Sequence, residues 1–419
     1  MPTPAVTSFA QLPLDPALLA ALAKQGLSHP TPIQAATLPD AVAGRDVLGR
    51  ARTGSGKTLA FGLALLTRLA GRHAKPRQPL GLVLVPTREL AAQVAAALAP
   101  YAAAVGVRTA TVVGGLSLQH QSGALRRGAE IVIATPGRLN DLAERDDCRL
   151  DRVEISVLDE ADRMADMGFL PQISTLLAGT AAAGQRMLFS ATLDSDVDGL
   201  VRRFLTQPAR HSVDPSAATI TTMDHHLLHV DPADKNATTT RIGARDGRVL
   251  MFVGTKHRAD RLTRQLLASG VTAAALHGGK SQPQRTRTLD QFRSGAVNAL
   301  VATDLAARGI HIDDLDLVVN VDPPADAKDY LHRGGRTARA GRTGSVVTLV
   351  LPDQHRGTAR LLDAAGITAR SARIRPGDAE LARVTGARAP SGVPVPSGTA
   401  PAGRASGVGR ARGRRRHLR

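Results

Sequence analysis

The most constraining feature of this chain is a series of short apolar stretches, separated by longer helical patterns, that occurs twice. In the first half the stretches are residues 46–48, 82–85, 108–113, 130–134, 155–158 and 186–190; in the second they are 224–230, 248–253, 272–276, 299–302, 317–320 and 345–351. Stretches that are apolar throughout, rather than at alternate positions, belong to strands buried on both faces, as in a parallel sheet covered by helices. Six in each half predict two tandem α/β domains, residues 1–211 and 223–385, joined by a linker at 212–222. A chain of 419 residues is long enough for two such cores. From Gly386 onward Gly, Pro, Ser, Ala and Arg dominate, a composition that cannot bury a core, so residues 386–419 are expected to be a disordered tail.

Charge narrows the partners. Lys and Arg total 54 against 36 Asp and Glu, a net charge of +18, and the tail carries eight arginines and no acid. Such an excess suits a polyanion, and nucleic acid is favoured over a membrane because no amphipathic basic helix accompanies it. A solubilising role competes for the tail alone. The single cysteine, Cys148, excludes a disulfide framework and zinc sites built on paired cysteines. No apolar run is long enough to span a bilayer, and the N-terminus lacks the basic head and apolar block of a signal peptide. The expectation is a soluble protein of a reducing compartment, the cytoplasm.

After the first strand comes Ala51-Arg52-Thr53-Gly54-Ser55-Gly56-Lys57-Thr58, leading into a helix. Glycines allow the backbone to wrap an anion, so that its N–H groups and the helix N-terminus face phosphates. Lys57 would neutralise the β/γ-phosphates and the Thr58 hydroxyl would ligate Mg²⁺. Asp159-Glu160-Ala161-Asp162 follows another apolar stretch, 102 residues after Lys57. At the carboxyl end of a parallel strand Asp159 suits Mg²⁺, and Glu160 suits a water aligned on the γ-phosphate. Alone, the acidic quartet would read as an ordinary helix N-terminus.

From Phe9 to Leu351 the chain resembles the DEAD-box family of ATP-dependent RNA helicases, in a bacterial form with a basic tail. The resemblance implies a fold of two tandem RecA-like domains. Beyond the two motifs above, it rests on Gly26-Leu27-Ser28-His29-Pro30-Thr31-Pro32-Ile33-Gln34, with Phe9 17 residues upstream. Phe9 and Gln34 are thereby expected to stack on and read adenine, with Thr53, Gly54, Ser55, Gly56, Lys57 and Thr58 around the phosphates. Pro86-Thr87-Arg88-Glu89-Leu90, Gly114-Gly115 and Thr135-Pro136-Gly137-Arg138 resemble the family's RNA contacts. Ser190-Ala191-Thr192 resembles its coupling segment. In the second domain Gln282 to Arg285, Ala302-Thr303-Asp304 to Arg308-Gly309, and His332-Arg333 to Arg336 and Arg339 match in order. The resemblance assigns RNA contact to Arg88, Gly115, Thr135, Arg138, Thr303 and Gly309. It assigns coupling between domains to Asp162, Ser190, Thr192, Asp304, Arg308 and His332.

Three departures stand out. His311 occupies a position where the family usually has Asp, Gly334 and Ala338 replace Ile and Gly, and residues 235–248 lack the apolar spacing of a helix, predicting a short or irregular stretch. The mechanism that follows is a two-domain clamp with ATP and Mg²⁺ on the first domain and Arg336 and Arg339 brought in as arginine fingers. With aromatics at 2% and no tryptophan, base stacking gives way to phosphate and sugar contacts. Binding is therefore expected to tolerate sequence, and the resemblance implies structured or duplex RNA as the partner. Two alternatives remain: a DNA translocase on the same core, and an RNA-tethering protein acting through its tail. His225, His226 and His229 fall on inconsistent strand faces with no cysteine or acid cluster beside them, so they read as structural.

Overall fold

The computed structural model describes residues 6–51, 54–213, 223–307, 315–337 and 344–396. They form two lobes, each built on a seven-stranded sheet. The first contains β1 (Val47–Arg50), β2 (Gly81–Leu84), β3 (Thr109–Val112), β4 (Ile131–Ala134), β5 (Ile155–Asp159), β6 (Gln185–Ser190) and β7 (Ala209–Ser212), in the spatial order β3-β4-β2-β5-β6-β1-β7. The second contains β8 (Met223–His229), β9 (Val249–Phe252), β10 (Ala273–Leu276), β11 (Ala299–Ala302), β12 (Leu317–Asn320), β13 (Gly344–Val350) and β14 (Arg370–Arg373), in the order β10-β11-β9-β12-β13-β8-β14. Raising each label of the first order by seven gives the second, so the lobes repeat one topology. The strands within each sheet pair in parallel. Helices cover both faces; Lys57–Leu69 buries Ala60, Phe61 and Leu63 to Leu66 on the first sheet, with the Phe61 and Phe189 rings 5.6 Å apart.

All twelve expected strands are present, and two more join them. β7 and β14 are edge strands, solvated on one side, so neither needs an apolar run to be stable. Because β7 extends to Ser212, the first lobe ends one residue beyond the expected boundary; residues 214–222 of the linker lie outside the described residues.

The stretch 235–248 is short, as expected, but regular: a nine-residue helix, Lys235–Gly243, with Thr238, Thr239 and Ile242 among its buried positions. The Thr239 and Thr240 hydroxyls donate to the carbonyls of Lys235 (2.7 Å) and Asn236 (2.9 Å), so these two polar side chains are satisfied by their own helix and can be buried. The tail is not disordered from Gly386. Gly386, at φ 70°, ends the helix Ala379–Thr385, and the following segment lies along the second lobe. Arg388 N–H donates to Arg241 O (3.0 Å), Gly392 N–H to Ser269 O (3.0 Å) and Val395 N–H to Leu267 O (2.9 Å). Backbone bonds of this kind need no apolar side chains, so composition does not disclose them. Residues 397–419 lie outside the described residues.

Candidate nucleotide and nucleic-acid sites

The phosphate loop leaves the sheet at the carboxyl end of β1, where Ala51 N–H donates to Ser190 O at 3.0 Å. Gly54 (φ 84°) and Gly56 (φ 96°) take left-handed conformations that an L side chain resists. A methyl group on Gly56 would also lie 2.6 Å from Gln34 Nε2. The helix Lys57–Leu69 starts directly behind the loop. Lys57 is 5% exposed, and its ammonium donates to Ala51 O at 2.9 Å. The Ser55 hydroxyl is buried without a hydrogen-bond partner. A buried cation held by a carbonyl, beside an unsatisfied hydroxyl at a helix N-terminus, fits a polyphosphate. Thr58 is next along, half-buried. Thr53 lies outside the described residues.

Gln34 and Phe9, expected at the adenine, are both held by contacts within the first lobe. The Gln34 carbonyl accepts from Thr31 N–H (2.8 Å), capping its own helix, and its amide donates to Gly56 O of the phosphate loop (3.0 Å). Phe9 is 3% exposed within the first core, and its N–H donates to Ser28 O (3.1 Å). In this structure the ring anchors the segment and presents almost no face for stacking.

At the end of β5, Asp159 is buried and accepts from Glu160 N–H at 3.0 Å. Glu160 itself sits at φ 56°, ψ 53°, a left-handed conformation that costs a side-chain-bearing residue about 1–2 kcal/mol. Strain of this kind persists where the surroundings fix it, and it is concentrated at functional sites. Its carboxylate pairs with Arg163 one turn on. Asp162 accepts from Thr192 N–H and Thr192 Oγ1 (both 3.0 Å), while its own N–H donates to Ser190 Oγ (3.2 Å). These bonds of Asp162, Ser190 and Thr192 tie the acid helix Ala161–Asp166 to the neighbouring turn inside one lobe.

A surface of expected RNA contacts lies beyond the carboxyl ends of β2, β3 and β4. Gly115 (φ 75°) faces Arg88, and a methyl group there would lie 1.8 Å from Arg88 Nη1. Arg138 Nη1 donates to Leu116 O at 3.0 Å, and Thr135 starts the helix Pro136–Glu144. The second lobe repeats this register. Thr87-Arg88 after β2 has a counterpart in Thr255-Lys256 after β9, Gly114-Gly115 in Gly278-Gly279, and Thr135 in Thr303. Thr87 and Thr255 both cap their helices, accepting from Leu90 N–H (3.3 Å) and Arg258 N–H (3.2 Å). Motif reading did not single out Lys256; internal comparison of the two halves places it at the position that matches Arg88.

Between the lobes lies a cavity of about 310 Å³, with Glu160, Arg163 and Thr192 on one wall and Lys328, His332 and Arg336 on the other. Arg336 is 5% exposed; Arg339, Arg308, Gly309, His311 and Ala338 lie outside the described residues. Asp304, expected to couple the domains, pairs with Arg333 of its own lobe at 2.6 and 2.7 Å. Arg333 also donates to Asn320 Oδ1 (2.9 Å) and Asp322 O (2.8 Å), with its guanidinium 4.9 Å from the Phe252 ring centre. Gly334 has room beside Val346, 3.5 Å from an added methyl. The lobes touch through Glu89, which pairs with Arg285 (2.7 Å) and accepts from Gln282 (3.2 Å), and through Lys328, whose ammonium lies 2.8 Å from both Asp166 and Asp194. Burial opposes the charge on Lys328, but the two carboxylates outweigh it and raise its pKa. Burial likewise opposes ionisation of Asp194, and the Lys328 bond holds its pKa below the ordinary value. Burial pushes the Cys148 thiol up to about 12, leaving it protonated and unreactive. His225 lies 3.0 Å from the Tyr330 hydroxyl, and His229 bonds His355 (2.9 Å) and Ser371 (2.6 Å).

Known proteins match this architecture. The DEAD/DEAH box helicase family matches residues 31–200, and the helicase conserved C-terminal domain matches residues 234–341. The ATP-dependent rRNA helicase RRP3 of Candida glabrata is 42% identical over 351 residues, covering 82% of this chain and 70% of that protein. The ATP-dependent RNA helicase RhlB of Xanthomonas axonopodis pv. citri is 41% identical, covering 81% of this chain and 61% of that one. Of four other curated relatives it matches, the chain spans 32% to 61% of the length. S. cerevisiae Dbp5 bound to RNA and ADP BeF3 superposes with a TM-score of 0.78 at 27% identity, covering 90% of this chain and all of that one. With both matched domains in order and the acid motif on a shared two-lobed fold, the chain belongs to the DEAD-box family of ATP-dependent RNA helicases.

Proposed function

We propose that the protein is an RNA-dependent ATPase that closes its two lobes on ATP and RNA and parts short duplexes without reading sequence. The observation that carries this reading is the shared cavity, with Glu160 of one lobe and Arg336 of the other on its walls. Lys57 and the N–H groups of the glycine loop receive the phosphates of ATP. Thr58 and Asp159 are the residues that would hold Mg²⁺, which when bound neutralises charge on the phosphates. Glu160 orients the attacking water and takes its proton as the water oxygen bonds the γ-phosphorus and the bond to ADP breaks. Arg336, with Arg339 as its expected companion, offsets the charge spread over the transferring group, so hydrolysis depends on closure.

RNA enters through the paired surfaces of the two lobes. Arg88, Gly115, Thr135 and Arg138 on one side, and Lys256 and Thr303 on the other, address phosphates and sugars, which position a strand without reading bases, and the motif adds Gly309 as an expected contact. Nucleotide and RNA then strengthen each other's binding reciprocally, because both favour the closed state. A cytoplasmic location belongs to the same proposal; among the described residues no helix is long and apolar enough to cross a membrane.

The test is phosphate release with RNA, with DNA and with neither, for the full chain and for a version ending at Pro396, which keeps the segment bound to the second lobe. Stimulation by RNA alone in both versions is expected. Equal stimulation by DNA would favour a translocase, and RNA binding lost with the tail and no hydrolysis would favour a tether. Glu160→Gln is expected to retain ATP and RNA while turnover falls by roughly 10²–10⁴-fold, as for loss of a positioned proton acceptor; full turnover would remove Glu160 from its role.

A further inference from the structure

Lys328 lies on the helix Ala327–Gly334, which leads into Arg336, and its ammonium crosses to the other lobe. Its two acceptors are placed at informative points. Asp166 ends the helix that starts directly after Glu160. Asp194 follows the Ser190–Thr192 turn and caps the helix Ser195–Phe204, accepting from Val197 N–H at 3.0 Å. The acid helix and the turn are already joined by Asp162. One cation therefore holds both segments of the first lobe that flank Glu160. The three side chains are 24% to 36% exposed, so the contact is partly shielded from solvent and sits at the rim of the cavity.

We propose that Lys328 is a positioning residue for hydrolysis: by gripping Asp166 and Asp194 together it sets the arginine-bearing helix of the second lobe against the acid helix and coupling turn of the first. This rests on the ATPase reading above. A single ammonium shared by two carboxylates resists sliding between lobes better than one isolated pair, since displacement in either direction breaks a charge-assisted bond. Exposed pairs alone contribute little; the role here is geometric, selecting the closed arrangement over others.

Lys328→Ala is expected to lower kcat/KM for RNA by roughly tenfold, the size of a lost charged hydrogen bond. KM should carry the loss, because saturating RNA restores closure. Lys328→Arg should recover most of it. The pair Asp166→Asn with Asp194→Asn should reproduce the loss, and adding Lys328→Ala should deepen it no further. The second of these changes keeps a side-chain oxygen that can cap the helix Ser195–Phe204. Energy transfer between dyes on the two lobes, with a non-hydrolysable ATP analogue and RNA, reads closure without turnover. A fall in closed population for Lys328→Ala supports the latch even if the wild-type protein fails to hydrolyse ATP, whereas that failure would overturn the ATPase reading by itself. Unchanged closure and unchanged KM, or losses from Lys328 and the two aspartates that simply add, would overturn the latch.

Discussion

The two lobes share a strand order yet treat the same position in opposite ways. β1 and β8 each lead into a helix whose first residue is a lysine, Lys57 in one and Lys235 in the other. In the first lobe that lysine follows a glycine loop, and its ammonium bonds a backbone carbonyl. In the second, Asp231-Pro232-Ala233-Asp234 replaces the loop, and Lys235 lies 3.0 Å from Asp322, which also pairs with Arg258 (2.9 Å) and accepts from Gly254 N–H (3.0 Å). Asp322 comes shortly after β12, the counterpart of the strand that carries Asp159. Topology thus supplies a lysine and a carboxylate at the strand ends of both lobes. Whether they await an anion or satisfy each other depends on the loop between them and on local charge balance.

Exchanging the fates of these lysines tests the comparison most severely. Lys57→Ala should lower RNA-dependent phosphate release by roughly 10²–10³-fold, the usual effect of removing a donor aimed at developing charge. Its melting temperature should change little. Lys235→Ala should do the reverse. It strips a buried partner from Asp322, costing about 1–3 kcal/mol in a denaturant titration, while ATP affinity stays at the wild-type value. A nucleotide defect in Lys235→Ala would mean that the second lobe takes part in phosphate binding and the contrast is false.

A second matched position carries a charge in one lobe and none in the other. Glu130 precedes β4 and Asn298 precedes β11, its counterpart. Glu130, fully buried, accepts from Ala74 N–H (3.0 Å), Arg108 N–H (2.7 Å) and the Arg108 guanidinium. Burial alone would raise its pKa, but those donors hold it down to about 2. Asn298 instead donates to Gly243 O (3.0 Å) and Arg245 O (2.8 Å) and carries no charge. A carboxyl depressed from 4.5 to about 2 stabilises the fold fully above 4.5 and loses that contribution as pH falls toward 2. Glu130→Gln should therefore cost about 2 kcal/mol at neutral pH, allowing for the half-exposed Arg108, and flatten the acid limb of the stability profile. Chemical denaturation across pH checks this; a parallel downward shift at every pH would show a packing loss instead.

Sequence carried the architecture because both sheets bury most of their inner strands on two faces, which forces apolar residues at most of those positions. It did not carry β7 or β14, whose exposed edges place no such demand, nor the segment 386–396, which is held by backbone bonds. The phosphate loop and acid motif were legible because their chemistry needs contiguous residues. Pairings across distance were not: Glu89 with Arg285, Asp304 with Arg333, and Lys328 with two aspartates are ordinary charged residues until the fold brings them together. Gln34 and Phe9 show the opposite limit. Their positions were found by motif, but burial and hydrogen bonding, which spacing does not specify, decide what their side chains can touch.

The finest test of the comparison uses the paired glycines. After β3, Gly115 has φ 75° and lies against Arg88, so a methyl group would both strain the backbone and displace a guanidinium expected to hold phosphate. After β10, the nearest atom to a methyl on Gly279 is His277 Nδ1 at 3.1 Å, and Lys256, the counterpart of Arg88, is 3.9 Å away at Cδ. Gly115→Ala should weaken RNA binding about tenfold, matching one charged hydrogen bond, with about 1 kcal/mol of strain added to the folded state. Gly279→Ala should stay within about threefold, since only the imidazole has to yield and Lys256 keeps its place. Fluorescence anisotropy at one fixed salt concentration, with RNA and a non-hydrolysable ATP analogue, compares them directly. Equal losses would show that both glycines are needed for backbone approach to the strand itself. A loss confined to Gly115→Ala ties the effect to Arg88, and makes the first lobe the more rigid half of the RNA surface.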